Sequence, residues 1–256
     1  MSNKRRNKTG IRWDKIIGLV TIITIVVCAW IVYCDFKRAN TEEADANAIQ
    51  VNNNETRTQA QPHDTSSKVT VCIDAGHGGS DAGTDYNGRK EKEQTLDIAL
   101  LVEKELSSRG INVVMTRTTD RDVSLDKRIE ICNSNNAAAI VSIHRNSYKT
   151  GGTANGVEAW IHSSNPSNAG ELGNIILKKL TALGVSNRGV KTGTMEDSKS
   201  NYRINSKCKC TSIILELGFM NNSSDNALVT TKKEATAKAI SDGIIDYLEQ
   251  AGYING

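Results

Sequence analysis

Between Val69 and Leu248, short apolar or β-branched runs alternate with segments whose apolar residues recur at helical spacing, and this alternation restricts the fold more than any other feature. Val69 to Ile73 reads as a buried strand that enters the loop Asp74-Ala-Gly-His-Gly-Gly. Leu96, Ala99, Val102 and Leu106 predict a helix stopped by Gly110, and Ile111 to Thr116 resumes as a strand. Leu125, Ile129 and Cys132 mark a second helix, closed by Asn133-Ser-Asn-Asn before a strand from Ala138 to His144. Val157 to Ile161 predicts a further strand. Asn165-Pro166 then supplies a cap and a first-turn proline for a helix carrying Leu172, Ile175, Ile176, Leu180 and Leu183. Ser212 to Leu217 is the last apolar strand, and Ile240, Ile244, Tyr247 and Leu248 define a terminal amphipathic helix. Such a pattern predicts an α/β single domain: a twisted, mainly parallel or mixed sheet of about six strands with helices on both faces. With 256 residues, 38% of them hydrophobic, the chain has ample material for that core.

The N-terminal quarter follows other rules. Lys4, Arg5, Arg6, Lys8, Arg12 and Lys15 cluster ahead of Ile16 to Cys34, a run without any charge. At a helical rise of about 1.5 Å per residue that run spans roughly the 30 Å hydrocarbon layer of a bilayer. The basic flank predicts a cytoplasmic N-terminus with the remainder of the chain outside, anchored in the cell membrane by a single pass. A cleaved signal peptide with a secreted product is the alternative, although neither Cys28-Ala-Trp nor Val32-Tyr-Cys offers a small-x-small cleavage site. From residue 35 to 68 the texture is polar and aperiodic, as in a flexible spacer with too little apolar surface to offset chain entropy. The expected organisation is thus a tail at 1–15, an anchor at 16–34, a spacer at 35–68 and one catalytic domain at 69–256. The formal net charge of +3 gathers in the tail, so it describes no nucleic-acid groove.

Of the six cysteines, Cys28 and Cys34 fall in the apolar run, and Cys72 and Cys132 read as small buried hydrophobes. Cys208 and Cys210 would share one face of a strand without partners at metal-site spacing, so no second metal centre is expected there. Polar residues at strand ends are the better candidates for chemistry, because sites in open α/β sheets collect where strands finish. His77 follows the first strand and His144 closes the third. Glu216 interrupts the apolar Ile213-Ile-Leu-Glu-Leu, where an ionised carboxylate is costly unless a cation or a proton transfer accounts for it. His77 is flanked by Gly76, Gly78 and Gly79, which let the backbone bend closely around a bound atom. No G-K-[ST] follows, which argues against a phosphate loop.

Six strings in order, Ile73-Asp-Ala-Gly-His-Gly-Gly, Glu91-Lys-Glu with Leu96-Asp-Ile-Ala, Met115-Thr-Arg, Ser142-Ile-His-Arg-Asn, Asn187-Arg-Gly-Val-Lys and Glu216-Leu-Gly-Phe-Met-Asn, closely resemble the type 3 domain of zinc-dependent N-acetylmuramoyl-L-alanine amidases. The resemblance runs from Val69 to about Gly252. It implies that His77, Glu91 and His144 bind Zn2+, that Glu216 is the catalytic carboxylate, and that the substrate is peptidoglycan, cut between N-acetylmuramic acid and L-alanine. Two imidazoles and one carboxylate would leave the open fourth position that a catalytic zinc needs. Glu93 stays open as an alternative ligand because the family commonly shows Glu-Lys-Asp, although register with Leu96 and Ala99 favours Glu91. Arg145 and Asn146 are carried as candidate substrate contacts, although for Arg145 a side chain that merely points to solvent is the preferred reading. His162 has no counterpart in the motif set and reads as an ordinary strand-end residue.

Two other functions compete: a peptidoglycan-binding module of the same fold that does not hydrolyse, and a zinc peptidase acting on the stem peptide. Only residues 146–155 separate His144 from the next strand, too few for a helix that would block the zinc, so an open cleft is expected. The resemblance further implies a protein of spore-cortex or cell-separation type; a monomer is expected, with no activator identified by the sequence.

Overall fold

The computed structural model describes residues 68–148 and 154–255. The predicted tail, anchor and spacer lie outside the described residues, as does the 149–153 stretch of the segment expected to be short. Among the described residues no helix is long and apolar enough to cross a membrane.

Six strands form the main sheet: β1 (Thr70–Ala75), β4 (Asn112–Met115), β5 (Ala139–Asn146), β6 (Val157–Ile161), β7 (Asn187–Thr192) and β8 (Thr211–Phe219). Their order is β4-β1-β5-β8-β6-β7, and all neighbours are parallel except β6 with β8. β2 (Asp85–Tyr86) and β3 (Arg89–Lys90) make a small separate hairpin. The helices are α1 (Glu91–Ser108), α2 (Leu125–Ser134), α3 (Ser167–Thr181), α4 (Arg203–Lys207), α5 (Ser223–Asn226) and α6 (Lys233–Gln250). The expected mixed sheet with helices on both faces is therefore present.

Strand periodicity sorts the side chains into two layers. Val71, Ile73, Val141, Ile143, Ile213, Leu215 and Leu217 point to one face, where α1, α3 and α6 cover them with Ile98, Val102, Leu106, Leu172, Ile176, Leu180, Ile240, Ile244 and Leu248. Each such fully buried Ile or Leu contributes about 1.5–3 kcal/mol. On the opposite face Cys72 and Ile140 pack with Ile129 and Cys132 of α2 and Ile204 of α4. That second layer is smaller, so the carboxyl ends of β1, β5 and β8 on this face stay open, and the polar residues collect there.

Local details differ from the sequence reading in three places. Leu125 is 50% exposed, and the buried face of α2 is instead Arg128, Ile129 and Cys132. Asn165 does not cap α3: it is left-handed with φ 51°, Pro166 holds the cap position, and no side chain caps the helix. Cys208 and Cys210 do not share a strand, because Cys208 ends α4 and Cys210 lies just before β8.

The loop after β1 is fixed by two buried arginines. Arg117 donates to the carbonyls of Ala75, Gly76 and Lys92 at 2.9, 2.9 and 2.7 Å. Arg128 donates to Asp74 Oδ1 and to the Ala75 and His77 carbonyls, each at 2.6 Å. Asp74 in turn accepts from Thr116 Oγ1 at 2.6 Å and Ser142 Oγ at 2.5 Å. Burial alone would raise the Asp74 pKa, but the Arg128 charge and these hydroxyls outweigh it and hold the carboxyl below its usual range.

Candidate metal centre

His77 stands two residues beyond β1 with φ 59°, a left-handed conformation uncommon outside glycine, and the Arg128 bond to its carbonyl holds it there. Its Nδ1 meets Asp81 Oδ2 at 2.8 Å, which leaves Nε2 facing Glu91 Oε1 at 3.1 Å. A carboxylate behind an imidazole in this way fixes the ring and its tautomer.

Glu91 is the first residue of α1, where a helix favours negative charge. The β2–β3 hairpin delivers it there. Asn87 and Gly88, with φ 52° and 75°, form the two-residue turn, and Glu91 N donates to Thr84 O at 2.9 Å to close the loop. The carboxylate is 3% exposed, with Oε2 accepting from Thr84 N and Oε1 from Arg145 N, each at 2.9 Å. His144 Nδ1 lies 3.1 Å from the same Oε1. Glu93 is exposed and outside this cluster, so of the two glutamates the structure gives the position to Glu91.

Among the described residues, His77, Glu91 and His144 form the one group of three or more His, Cys, Asp or Glu side chains whose donor atoms all lie within 4.8 Å of one another. Charge reinforces the clustering. Burial lowers the His77 pKa, but Glu91 and Asp81 outweigh it and lift the imidazole to about 9. His144 is also shifted up, its burial being outweighed by Glu91 and Glu216. Glu91 moves the other way, since the two imidazoles overcome its own burial. The set asks for positive charge at its centre.

Space around the cluster is tightly allotted. A Cβ on Gly76 would sit 2.4 Å from His144 Cε1, and one on Gly83 would sit 2.6 Å from His77 Cδ2 and 2.7 Å from Glu91 Oε2. Gly78 and Gly79 make room for Arg121, Arg117 and Asp122 of the neighbouring loop.

Glu216 pairs in register with His144 across β5–β8 and with Glu158 across β6–β8, so the three form one row. Burial pushes the Glu216 pKa up to about 7, with His144 only partly opposing the rise, and Oε2 is buried without a hydrogen-bond partner. Glu158, which the sequence reading missed, is buried, yet it accepts from Asn146 Nδ2 at 2.8 Å, Trp160 Nε1 at 3.1 Å and Arg188 Nε at 2.7 Å. Immediately beyond the row a bulge sets Leu217 and Gly218 opposite Arg145 and bends the sheet at the site.

A cavity of about 600 Å³ opens over the row, lined by His77, Glu91, His144, Glu216, Tyr148, Met195 and Glu196 among others. Tyr148 and Met195 are each 53% exposed and present apolar surface at its edge, a feature without a sequence signal. Arg145 and Asn146 also line it. A solvent-facing Arg145 is overturned: the residue is 3% exposed and donates to Gln94 Oε1 at 2.5 Å, Asn226 Oδ1 at 3.0 Å and Gly218 O at 3.3 Å. Its guanidinium is thereby committed to protein partners from three elements. His162 bonds Ser164 Oγ at 2.9 Å and does not enter the cluster.

Comparison with known proteins identifies the family and the fold. Over 182 residues the chain is 35% identical to the N-acetylmuramoyl-L-alanine amidase LytC of Bacillus subtilis (strain 168), a match covering 70% of this chain and 35% of LytC. The chain thus spans about a third of that relative's length. The solved N-acetylmuramoyl-L-alanine amidase of Clostridium difficile 630 superposes with a TM-score of 0.65 at 31% identity, over 71% of this chain and 97% of that one. The CwlD amidase of Clostridioides difficile, solved in complex with the GerS lipoprotein, gives a TM-score of 0.64 at 27% identity, covering 72% of this chain and all 100% of its own. The family model described as N-acetylmuramoyl-L-alanine amidase (Amidase_3) matches residues 71–246, and the chain belongs to that family.

Proposed function

We propose that this chain hydrolyses the amide bond between the lactyl group of N-acetylmuramic acid and L-alanine in peptidoglycan, with zinc held by His77, Glu91 and His144 and the proton moved by Glu216. The donor set supports the metal. Two imidazole nitrogens and one carboxylate oxygen within 4.8 Å of one another match the three-ligand composition of catalytic zinc sites with an open position. Zinc, when bound, supplies Lewis acidity that polarises a carbonyl and lowers the pKa of water.

The remaining work falls to side chains of the chain itself. Asp81 orients His77, and the Thr84 and Arg145 amides hold the Glu91 carboxylate in place. Glu216, aligned with His144 and with one oxygen unpartnered, takes the proton of the attacking water and returns it to the departing L-alanine nitrogen. No covalent intermediate with the protein is required. Tyr148 and Met195 supply apolar surface against which the glycan strand or stem peptide rests. The observation that carries this reading is the single row His144–Glu216–Glu158 beside the three-donor cluster, because it sets a carboxylate with a buried, unpartnered oxygen next to the metal ligands.

We also propose that Ile16 to Cys34 anchors the domain on the wall side of the cell membrane; the support is the uncharged length of that run and the basic flank before it.

Mass spectrometry of purified peptidoglycan incubated with the full chain tests the reaction. Free stem peptides bearing a new L-alanine amino terminus, lost on chelation and restored by zinc, are expected. Uncut wall, or release of terminal amino acids with sugar and stem still joined, overturns the assignment.

A further inference from the structure

A second cluster of reactive side chains lies on the same sheet face, away from the metal centre. Cys132, 1% exposed in α2, has its Sγ 3.3 Å from Sγ of Cys210, a half-buried residue immediately before β8. Two hydrogen bonds lock the segments carrying them: Asn133 Nδ2 donates to Lys207 O at 3.1 Å, and Lys209 N donates to Asn133 Oδ1 at 2.9 Å. Around the pair are Cys72, Cys208, Ile129, Ala137, Ile140 and Ile204.

A structural zinc site takes four ligands, and among the described residues no group of three or more His, Cys, Asp or Glu donors within 4.8 Å of one another includes these thiols. Two sulfurs in van der Waals contact, one of them reachable from solvent, point to redox chemistry instead. We propose that Cys132 and Cys210 form a disulfide when the chain meets an oxidising small-molecule disulfide, so that α2 is covalently joined to the residue immediately before β8.

The chemistry balances as two thiol–disulfide exchanges. The Cys210 thiolate attacks the external disulfide, forming a mixed disulfide and releasing one thiol. Cys132 then attacks the Cys210 sulfur, closing the protein disulfide and releasing the second thiol. The protein pair loses two electrons and two protons, and the external disulfide gains them. Cys210 suits the first role: the hydrogen bond from Cys132 holds its thiol down, whereas the neighbouring Cys208, Cys210 and Cys72 sulfurs push the Cys132 thiol up. Closure needs the sulfurs to approach to about 2.05 Å.

The bond would act on the site. α2 carries Arg128, which holds the His77 carbonyl, and β8 carries Glu216. A cross-link closing 78 residues of chain therefore staples the element that fixes the ligand loop to the strand that carries the proton carrier.

The full chain, first reduced and then incubated with oxidised glutathione, tests this by peptide mapping without reductant. A Cys132–Cys210 linked peptide pair is expected, together with a rise in melting temperature of roughly 5–10 °C. Cys208→Ser should keep the cross-link, and Cys210→Ser should abolish it. Thiols that all stay free, an adduct that stops at glutathionylated Cys210, or a bond between Cys208 and Cys210 would each overturn the proposal.

Discussion

Glu158 and Glu216 stand opposite each other in the antiparallel pairing of β6 with β8, and the buried Glu158 and the half-buried Glu216 have opposite surroundings. Glu158 receives donors from Asn146, Trp160 and Arg188, while Glu216 keeps an oxygen without any. Three donors from β5, β6 and β7 thus tie Glu158 into the sheet, while the opposite carboxylate has a buried oxygen that no donor reaches.

Glu216→Gln preserves shape and removes the proton acceptor. A loss of about 10²–10⁴-fold in the rate of stem-peptide release is expected, with zinc content unchanged. Near-normal turnover in a properly loaded variant would remove Glu216 from the reaction.

Asp81 touches only His77 within the cluster, so Asp81→Ala leaves all three donors present while freeing one ring. Zinc affinity should fall roughly 10–100-fold, read by competition with a chromophoric chelator. An unchanged affinity means that Asp81 does not orient the ligand.

Gly76→Ala places a methyl group 2.4 Å from the His144 ring, and the imidazole must move. Zinc stoichiometry and activity should both drop while the far-ultraviolet circular dichroism keeps its native form. Gly170→Ala is the control, because a Cβ there meets nothing within 4 Å. Equal activity in the two variants would contradict the tight packing described for His144.

Asp74→Asn addresses stability. The folded-state pKa of Asp74 is depressed, so its contribution is complete above the unfolded value of about 3.9 and disappears as the pH falls through the folded value. The wild-type melting temperature should therefore decline steeply below about pH 4. Removing the charge leaves Arg128 buried without its carboxylate, a cost of about 3 kcal/mol near neutrality. A flatter acid limb and a lower plateau in the variant are the expected pair of observations in thermal scans across pH.

Much of this arrangement was legible from residue order. The five strands read from apolar runs, the long helices and the terminal face of Ile240, Ile244, Tyr247 and Leu248 all occur, because each buries a contiguous stripe that leaves a period in the sequence. β7 escaped that reading. Asn187–Thr192 is an edge strand with an exposed start and only partly buried remainder, so it carries no alternation. The β2–β3 hairpin is two residues a side, and its signal was the Asn87-Gly88 pair rather than any apolar pattern.

Polar side chains with distant partners were the harder part. Arg128 sits at helical spacing with Ile129 and Cys132, and only the folded chain reveals that Asp74, 54 residues earlier, receives it. Arg145 was misread for the same reason: a long cation suggests solvent, yet its acceptors Gly218 and Asn226 lie 73 and 81 residues away. Glu158 looked like one polar position in a strand and acquires its meaning from Arg188 on the neighbouring β7.

The placement of β8 governs when the protein can become a hydrolase at all. This strand is the last to leave the ribosome, yet it lies between β5 and β6 and is the sole link between the two halves of the sheet. A polypeptide stopped before Thr211 has one three-stranded fragment, one two-stranded fragment, and no Glu216. A chain terminated before Thr211 thus lacks the strand that joins the two halves of the sheet, and residue 216 with it.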